Sequence, residues 1–277
     1  MPVTIEQLGP SHVAALRALL ARDAPNNLYL LGLMEEFGVV CGPDRAPFCF
    51  YGRFADGELT SALFVGGTGG LLVPSAGQVG HLADIARRLV GHVTPRACVG
   101  EKPLVDVLFQ QLGGTPRFSR TQKLFGVSAD DLGPFTNPLL RQATEADVEQ
   151  LVPMAAASIK ELLERDPLTE DPVGFAARVK QRVTSGRTYV LEQGGRLVFK
   201  LDVGSRSQFG AELEHLYTLP EERNRGHATL CLGQISRFLL SSLPRLCLRI
   251  DDGATRFADL ARKVGYVAGR AQRLAWT

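Results

Sequence analysis

Residues 211–240 read AELEHLYTLPEERNRGHATLCLGQISRFLL, an alternating run that stops at Pro220 and gives way, past Gly226, to apolar residues at helical spacing. Strand, short loop and helix in direct succession constrain the chain more than any other segment. Such a corner aims several unpaired backbone N–H groups at one point, because the first turn of a helix has no internal partners for its amides and the helix dipole adds roughly half a positive charge there. Phosphate is the ligand this arrangement attracts. Gly226 removes the Cβ that would hold an anion away from the backbone, Ala228 keeps the next position small, and Arg223 and Arg225 offer charge-assisted bonds. Pro220 fixes φ where the strand ends and cannot prolong its ladder.

The elements around this corner repeat a simple theme. From Thr144, a candidate N-cap, apolar residues at 148, 151, 152 and 155 predict a helix, and a second is expected over 173–185 after Pro172. RTYVLEQGGRLVFKLDVGS reads as a hairpin turning at Gly194 and Gly195. The strand and helix of 211–240 follow, then a strand (RLCLRID), a helix (ATRFADLARKV) and a closing strand (YVAGRAQRLAWT). The result is an α/β chain with a mixed sheet and helices against it. The first half is a looser version: a helical stretch over 11–37, a hairpin turning at Asp56 and Gly57, GLLVPS, a helix near 78–92, RACVG and a helix near 103–112. The shared order suggests a diverged duplicate. Periodicity lapses in SADDLGPFTNPLL, which places a boundary near residue 137 and gives two domains, 1–137 and 138–277.

Charge and cysteine usage narrow the setting. A net charge of +2 provides no global field for nucleic acid or anionic membrane, so any anion site is local and neither partner is expected. The five cysteines, at 41, 49, 98, 231 and 247, include no C-x-x-C pair, and the histidines lack metal-ligand spacing; no disulfide framework and no metal are expected. MPVTIEQLGPSH lacks the pattern of a signal peptide, and no apolar run reaches membrane-spanning length, so a soluble protein of the cytoplasm is expected. VGGTGGLLV at 65–73 lacks the Gly-Lys-Ser/Thr of a P-loop, and its glycines read as a bulge or turn.

Arg223-Asn224-Arg225-Gly226-His227-Ala228, with Pro220-Glu221 before it, resembles the R/Q-x-x-G-x-G/A pyrophosphate loop of the GNAT superfamily of N-acetyltransferases. Its place between the fourth strand and third helix of the second half is the place that superfamily requires. Lys263-Val264-Gly265-Tyr266 resembles the K-x-G-F/Y end of its last helix, and LRQATEADVEQL is similar to its usual opening. The likeness covers roughly 138–277 and is faint in the first half, which reads as a degenerate GNAT-like domain. It implies an acetyl-CoA-dependent N-acetyltransferase acting on a small-molecule or protein amine. By the same likeness, Arg223, Asn224, Arg225, Gly226, His227, Ala228 and Thr229 hold the pyrophosphate, while Leu216, Tyr217 and Thr218 pair their backbone with the pantetheine arm.

Amide formation from a thioester needs a neutral amine, and an amine of pKa near 10.4 lies about three units from that form at neutral pH, so a base is required. In several members of the superfamily a glutamate at the position of Glu212 serves. Glu212 and Glu214, two apart on the strand, are the catalytic candidates, expected to share a face with Leu216 and Thr218, with His215 on the other as a structural residue. The plainer reading, solvent-facing carboxylates that balance nearby arginines, competes for both and is favoured for Glu214. The tyrosine that many members use to protonate the leaving thiolate is replaced by Ala261, and an asparagine by Ala254. A thiol of pKa about 8.5 leaves as the anion at a cost of only about 2 kcal/mol at pH 7, so neither loss forbids transfer. Tyr217 and Tyr266 are possible substitutes. The replacements also motivate a rival, a non-catalytic acyl-CoA-binding or regulatory protein. Acidic residues at 161, 164, 166, 170 and 171 suit a cationic acceptor.

Overall fold

In the computed structural model, which describes residues 3–41, 48–66 and 70–277, the chain runs twice through one succession of elements. The first pass comprises β1 (Val3–Gln7), α1 (Val13–Ala21), α2 (Ala24–Phe37), β2 (Phe48–Ala55), β3 (Glu58–Gly66), β4 (Leu71–Pro74), α3 (Val79–Leu89), β5 (Ala97–Glu101), α4 (Lys102–Leu112) and β6 (Phe118–Val127). The second comprises β7 (Arg141–Gln142), α5 (Val148–Leu163), α6 (Pro167–Glu170), α7 (Pro172–Thr184), β8 (Thr188–Gln193), β9 (Arg196–Ser207), β10 (Gly210–Thr218), α8 (His227–Leu240), β11 (Leu246–Asp251), α9 (Thr255–Val264) and β12 (Val267–Trp276). Apart from the short α6, the orders match.

Local chemistry accounts for the boundaries. Asp56 and Gly57 both have positive φ (51° and 80°), as do Gly194 and Gly195 (59° and 78°), the two-residue geometry whose twist matches that of the flanking strands. Asp147 anchors the entry to α5: its Oδ2 accepts from the Thr144 amide at 2.7 Å, and the Arg141 guanidinium grips both oxygens at 2.7 and 2.8 Å. That fork, with the Thr144 bonds, holds the Asp147 carboxyl at about 2, below its ordinary 3.8. Asp171 caps α7 through the Gly174 amide at 2.9 Å.

The described strands form one sheet in the order β1-β2-β3-β4-β5-β12-β6-β11-β10-β9-β8-β7. In both halves the fourth and fifth strands are parallel, Leu71 opposite Ala97 and Ala211 opposite Leu246. The last strands are exchanged. β6 pairs antiparallel with β11 (Gln122 opposite Asp251, Leu124 opposite Arg249), whereas β12 pairs with β5, and the two meet each other at the centre of the sheet. Phe125 and Val127 of β6 consequently belong to the core that α8 and α9 cover. Helix α2 also crosses over, packing on β9 and β10 so closely that a Cβ on Gly32 would lie 2.7 Å from the Ser205 Cβ. Ion pairs fasten the crossing: Arg270 of β12 to Asp23 at 2.6 Å, and Arg187 to Glu36 at 2.5 Å.

The sequence reading is corrected in several places. The helical stretch over 11–37 is two helices, interrupted at Arg22 and Asp23, and the helix near 78–92 ends at Leu89. Strands β1, β6 and β7 carried no prediction. Of the glycine-rich run at 65–73, residues 67–69 lie outside the described residues. We propose that the repeats meet near residue 137, as 1–137 and 138–277, in the connector between β6 and β7; the limit divides the sequence, while the final strands cross it.

Candidate active site

The corner after β10 is built from a 3-10 turn at Pro220–Glu222, Asn224 at φ 63° and Gly226 at φ 85°, after which α8 begins. Gly226 occupies the left-handed region that costs other residues about 1–2 kcal/mol, and a Cβ there would meet nothing within 4 Å. Among the described residues, the amides of 224–229 donate to no protein acceptor; helical bonding from the corner starts with the Leu230 amide, which reaches the Gly226 carbonyl at 3.1 Å. The corner borders a cavity of about 780 Å³ lined by Thr218, Asn224, Gly226, His227, Ala228 and Thr229. The equivalent segment of the first half, residues 75–78, is half as long and carries no arginine, and its Ala76 amide is taken by the Asn27 Oδ1 at 2.7 Å. A longer loop bearing two arginines and bordering a broad cavity therefore distinguishes the second half.

The arginines sit differently from expectation. Arg223 donates through Nε to the Thr218 carbonyl at 3.0 Å and through Nη2 to both oxygens of Glu161 at 2.9 and 2.8 Å, lying over the Tyr217 ring. Arg225 is 59% exposed, 3.0 Å from the Glu222 carboxylate, and outside the cavity lining. His227 is nearly enclosed, with Nε2 3.5 Å from the same carboxylate.

Strands β10 and β11 pair only over Ala211–Leu213, so the β11-facing backbone of 214–218 is unpaired, a splay able to receive an extended chain. On its other edge β10 carries a bulge between Glu214 (opposite Asp202) and Tyr217 (opposite Lys200), with His215 at φ 51°. This bulge shifts the alternation. Glu212 and Glu214 face α2 and α7, but Leu216 packs into the core under α8, on the other side from that expected. His215 is turned to the glutamates' side, with Nε2 3.8 Å from the Glu214 carboxylate. Burial lowers its pKa, and Lys200 and Arg182 act in the same sense against Glu214 and Asp202.

A second cavity of about 450 Å³ lies in the splay and shares Glu161, Leu216, Tyr217 and Ala254 with the first. Glu214 lines it and Glu212 does not. Glu212 is buried, with Oε1 on the Arg249 guanidinium and Oε2 without a protein partner, and burial raises its pKa despite the arginine. Glu214 is bound by Arg182. Tyr29, carried across on α2, sits beside both, and burial with the two carboxylates pushes its phenol up to about 12.

Of the possible proton donors, Tyr266 is enclosed in the core with its hydroxyl 2.7 Å from that of Ser236, whereas Tyr217 lines both cavities and donates to the Glu161 Oε1 at 3.0 Å. Ala261 is fully buried and Ala254 borders both cavities. The acidic residues read as a surface for a cationic acceptor are all engaged: Glu161 by Arg223, Glu164 by Arg120, Asp166 by Lys160, Glu170 by Arg165 and Asp171 by Arg178. The sequence reading named Glu161 only as part of an acceptor surface, whereas it stands at the waist between the cavities; it missed Asp251 of β11, and Arg120 and Gln122 of β6, which line the smaller cavity. A partial alternation from Phe118 to Val127 was the available signal for the last two.

The architecture is that of GNAT acetyltransferases in tandem form. A GNAT-family acetyltransferase from Colwellia psychrerythraea superposes with a TM-score of 0.59 at 11% identity, over 99% of this chain and 100% of that one. A Drosophila protein gives 0.71 at 14%, over 99% and 98%. A tandem GNAT protein from the clavulanic acid biosynthesis pathway gives 0.57 at 13%, again over 99% and 98%. No protein-family model and no curated protein matches the sequence. At these identities the likeness establishes a shared fold, including its duplication.

Proposed function

We propose that this chain is an N-acyltransferase that takes acetyl-CoA as donor and a primary amine as acceptor. The observation that carries the reading is the set of unengaged amides at 224–229 bordering the larger cavity, where a nucleotide-linked diphosphate finds both donors and a helix N-terminus. The pantetheine arm then runs along the unpaired edge of 216–218 and delivers the thioester to the smaller cavity. The amine nitrogen attacks the thioester carbonyl carbon, the C–N bond forms as the C–S bond breaks, and the proton shed by nitrogen passes to Glu214. Geometry precedes pKa in this assignment: Glu214 lines the cavity, while Glu212 serves to hold Arg249. Tyr217, which lines both cavities, returns a proton to the sulfur.

Isothermal titration with acetyl-CoA tests the reading, and no binding at millimolar ligand removes it. A second reading, an acyl-CoA-binding protein without turnover, draws on the buried Ala261 and the occupied hydroxyl of Tyr266. It predicts binding but no thiol release over a panel of amines; release abolished by Glu214→Gln defeats it. The reading includes a cytoplasmic setting without nucleic-acid or membrane partners. Among the described residues, no helix is long and apolar enough to cross a membrane.

A further inference from the structure

We infer that His215 carries the acceptor's proton out of the site: it takes the proton from Glu214 and releases it to water in a third cavity. The inference rests on the acyltransferase reading and adds a proton route to it.

His215 borders the cavity in the splay and also a third one, of about 280 Å³, enclosed by α5, α6, α7 and the sheet. Arg182, Lys200 and Asp202 line the inner side of that third cavity and, with Glu214, are the charged groups that face the ring. Arg165 and Arg178, 53% and 59% exposed, mark where it opens to solvent. The ring is itself 26% exposed, and its Nε2 lies 3.8 Å from the Glu214 Oε1, a gap that one water or a modest rotation closes. Other carboxylates on the wall of the smaller cavity are already bound: Glu161 by Arg223 and Tyr217, Asp251 by Arg120 and Gln122. Among the described residues, the His215 ring makes no hydrogen bond and is left with its approach to Glu214.

The backbone explains this juxtaposition. In a regular strand, residues 214 and 215 point to opposite faces; the bulge brings both side chains to one side. It does so with His215 at φ 51°, a conformation that costs about 1–2 kcal/mol. Buried Lys200 holds it there, its Nζ donating to the His215 carbonyl at 3.2 Å and to the Asp202 Oδ2 at 2.8 Å. A strained residue fixed in this way beside the reacting groups points to a role in the chemistry.

Each step balances. The N–H bond of the attacking amine breaks as Glu214 gains the proton, the Glu214 O–H bond breaks as an N–H bond forms on the imidazole, and the imidazolium gives that proton to water. Carboxylate and neutral ring are then restored for the next cycle. Burial, aided by Lys200 and Arg182 against Glu214 and Asp202, lowers the pKa of the ring, so it passes a proton on instead of holding it. Tyr29, also beside Glu214, keeps its proton at neutral pH, because burial and the two carboxylates put its phenol at about 12.

The test uses the full chain, acetyl-CoA and a panel of ethylamine, ethanolamine, aminoacetate and putrescine, with the amide product as readout. His215→Asn keeps a side chain that tolerates the left-handed region but does not titrate near neutrality. Its kcat/KM should fall by about a hundredfold while the Kd for acetyl-CoA stays unchanged. Because the ring must be neutral to accept, the pH profile of the unaltered protein should contain a group titrating below the ordinary histidine value, with activity lost as pH falls through it, and His215→Asn should remove that limb. His215→Gly vacates the ring's place between the cavities, and added imidazole should restore its activity at least about tenfold. Pyrazole, of the same shape but far less basic, should not. Parent rates and an unchanged profile in folded His215→Asn, or restoration by neither heterocycle or by both equally, overturn the inference and leave the acyltransferase reading standing. Acetyl-CoA that binds while no amine of the panel is acylated strikes that reading, and the proton route falls with it.

Discussion

Replacing Gly226 by alanine separates the conformational role of this residue from its place at the proposed diphosphate corner. At φ 85° alanine incurs a left-handed penalty of about 1–2 kcal/mol, offset by about 0.4–1 kcal/mol from a less flexible unfolded chain, and the added methyl meets no protein atom within 4 Å. The net destabilisation is therefore about 1 kcal/mol, a fall in Tm of roughly 2–4 °C for a chain of this size. Affinity should respond more strongly. Relaxation of the loop from the left-handed region rotates the amides that follow, and the loss of one charge-assisted bond to a phosphate oxygen is worth about 1.5–3 kcal/mol, or roughly tenfold to a hundredfold in Kd. Arg225→Ala provides the contrast: this side chain is 59% exposed and outside the cavity, so a loss of no more than about threefold is expected. Calorimetric Kd values for acetyl-CoA beside thermal melts decide the matter. Should Gly226→Ala retain wild-type affinity, or should Arg225→Ala do the greater harm, the amide-centred account of the corner is refuted.

Further outcomes follow from the same geometry. Glu214→Gln should lower kcat/KM by about 10²- to 10⁴-fold with acetyl-CoA affinity intact, whereas Glu212→Gln, which strips a buried arginine of its counter-ion, should chiefly cost stability, about 3 kcal/mol by urea unfolding. Asp147→Asn should lose about 1–2 kcal/mol at pH 7, allowing for screening of the 37% exposed Arg141. Because the native pKa is depressed, that contribution is present above the unfolded value and fades as pH falls through about 2, so parent and variant should converge between about pH 4 and pH 2. Gly32→Ala should overpack the seat of α2 against Ser205 and destabilise by about 1–3 kcal/mol, measured by the same unfolding curves.

The corner was legible because its signals are local: a proline, a left-handed glycine and a change of period within a dozen residues. Hairpins turning at Asp56-Gly57 and Gly194-Gly195 were legible for the same reason. Strand β6 was not, since Ser119, Arg120, Thr121, Gln122 and Lys123 lack the apolar character of a central strand, and its partners lie more than a hundred residues away in sequence. Nor did the sequence announce the bulge at His215, which has no glycine or proline to mark it and which reversed the facing of both His215 and Leu216. Glu161 is one of five acids between residues 161 and 171, and only its bonds to Arg223 and Tyr217 single it out. Glu212 and Glu214 were named together, and their separation into a sealed and an accessible carboxylate depended on which way the wall of the cavity turned.

The crossing of the terminal strands makes the two repeats an interlocked pair. Were the peptide cut in the connector around residue 137, β6 would still lie between β11 and β12, and β12 would still lie beside β5, so the fragments would hold one another without a covalent tether. Made apart, each would present an unsatisfied ladder edge where its sibling's strand belongs, and would be prone to self-association until the other arrived. The first repeat thus completes the sheet of the second, and each supplies a strand that the other cannot do without.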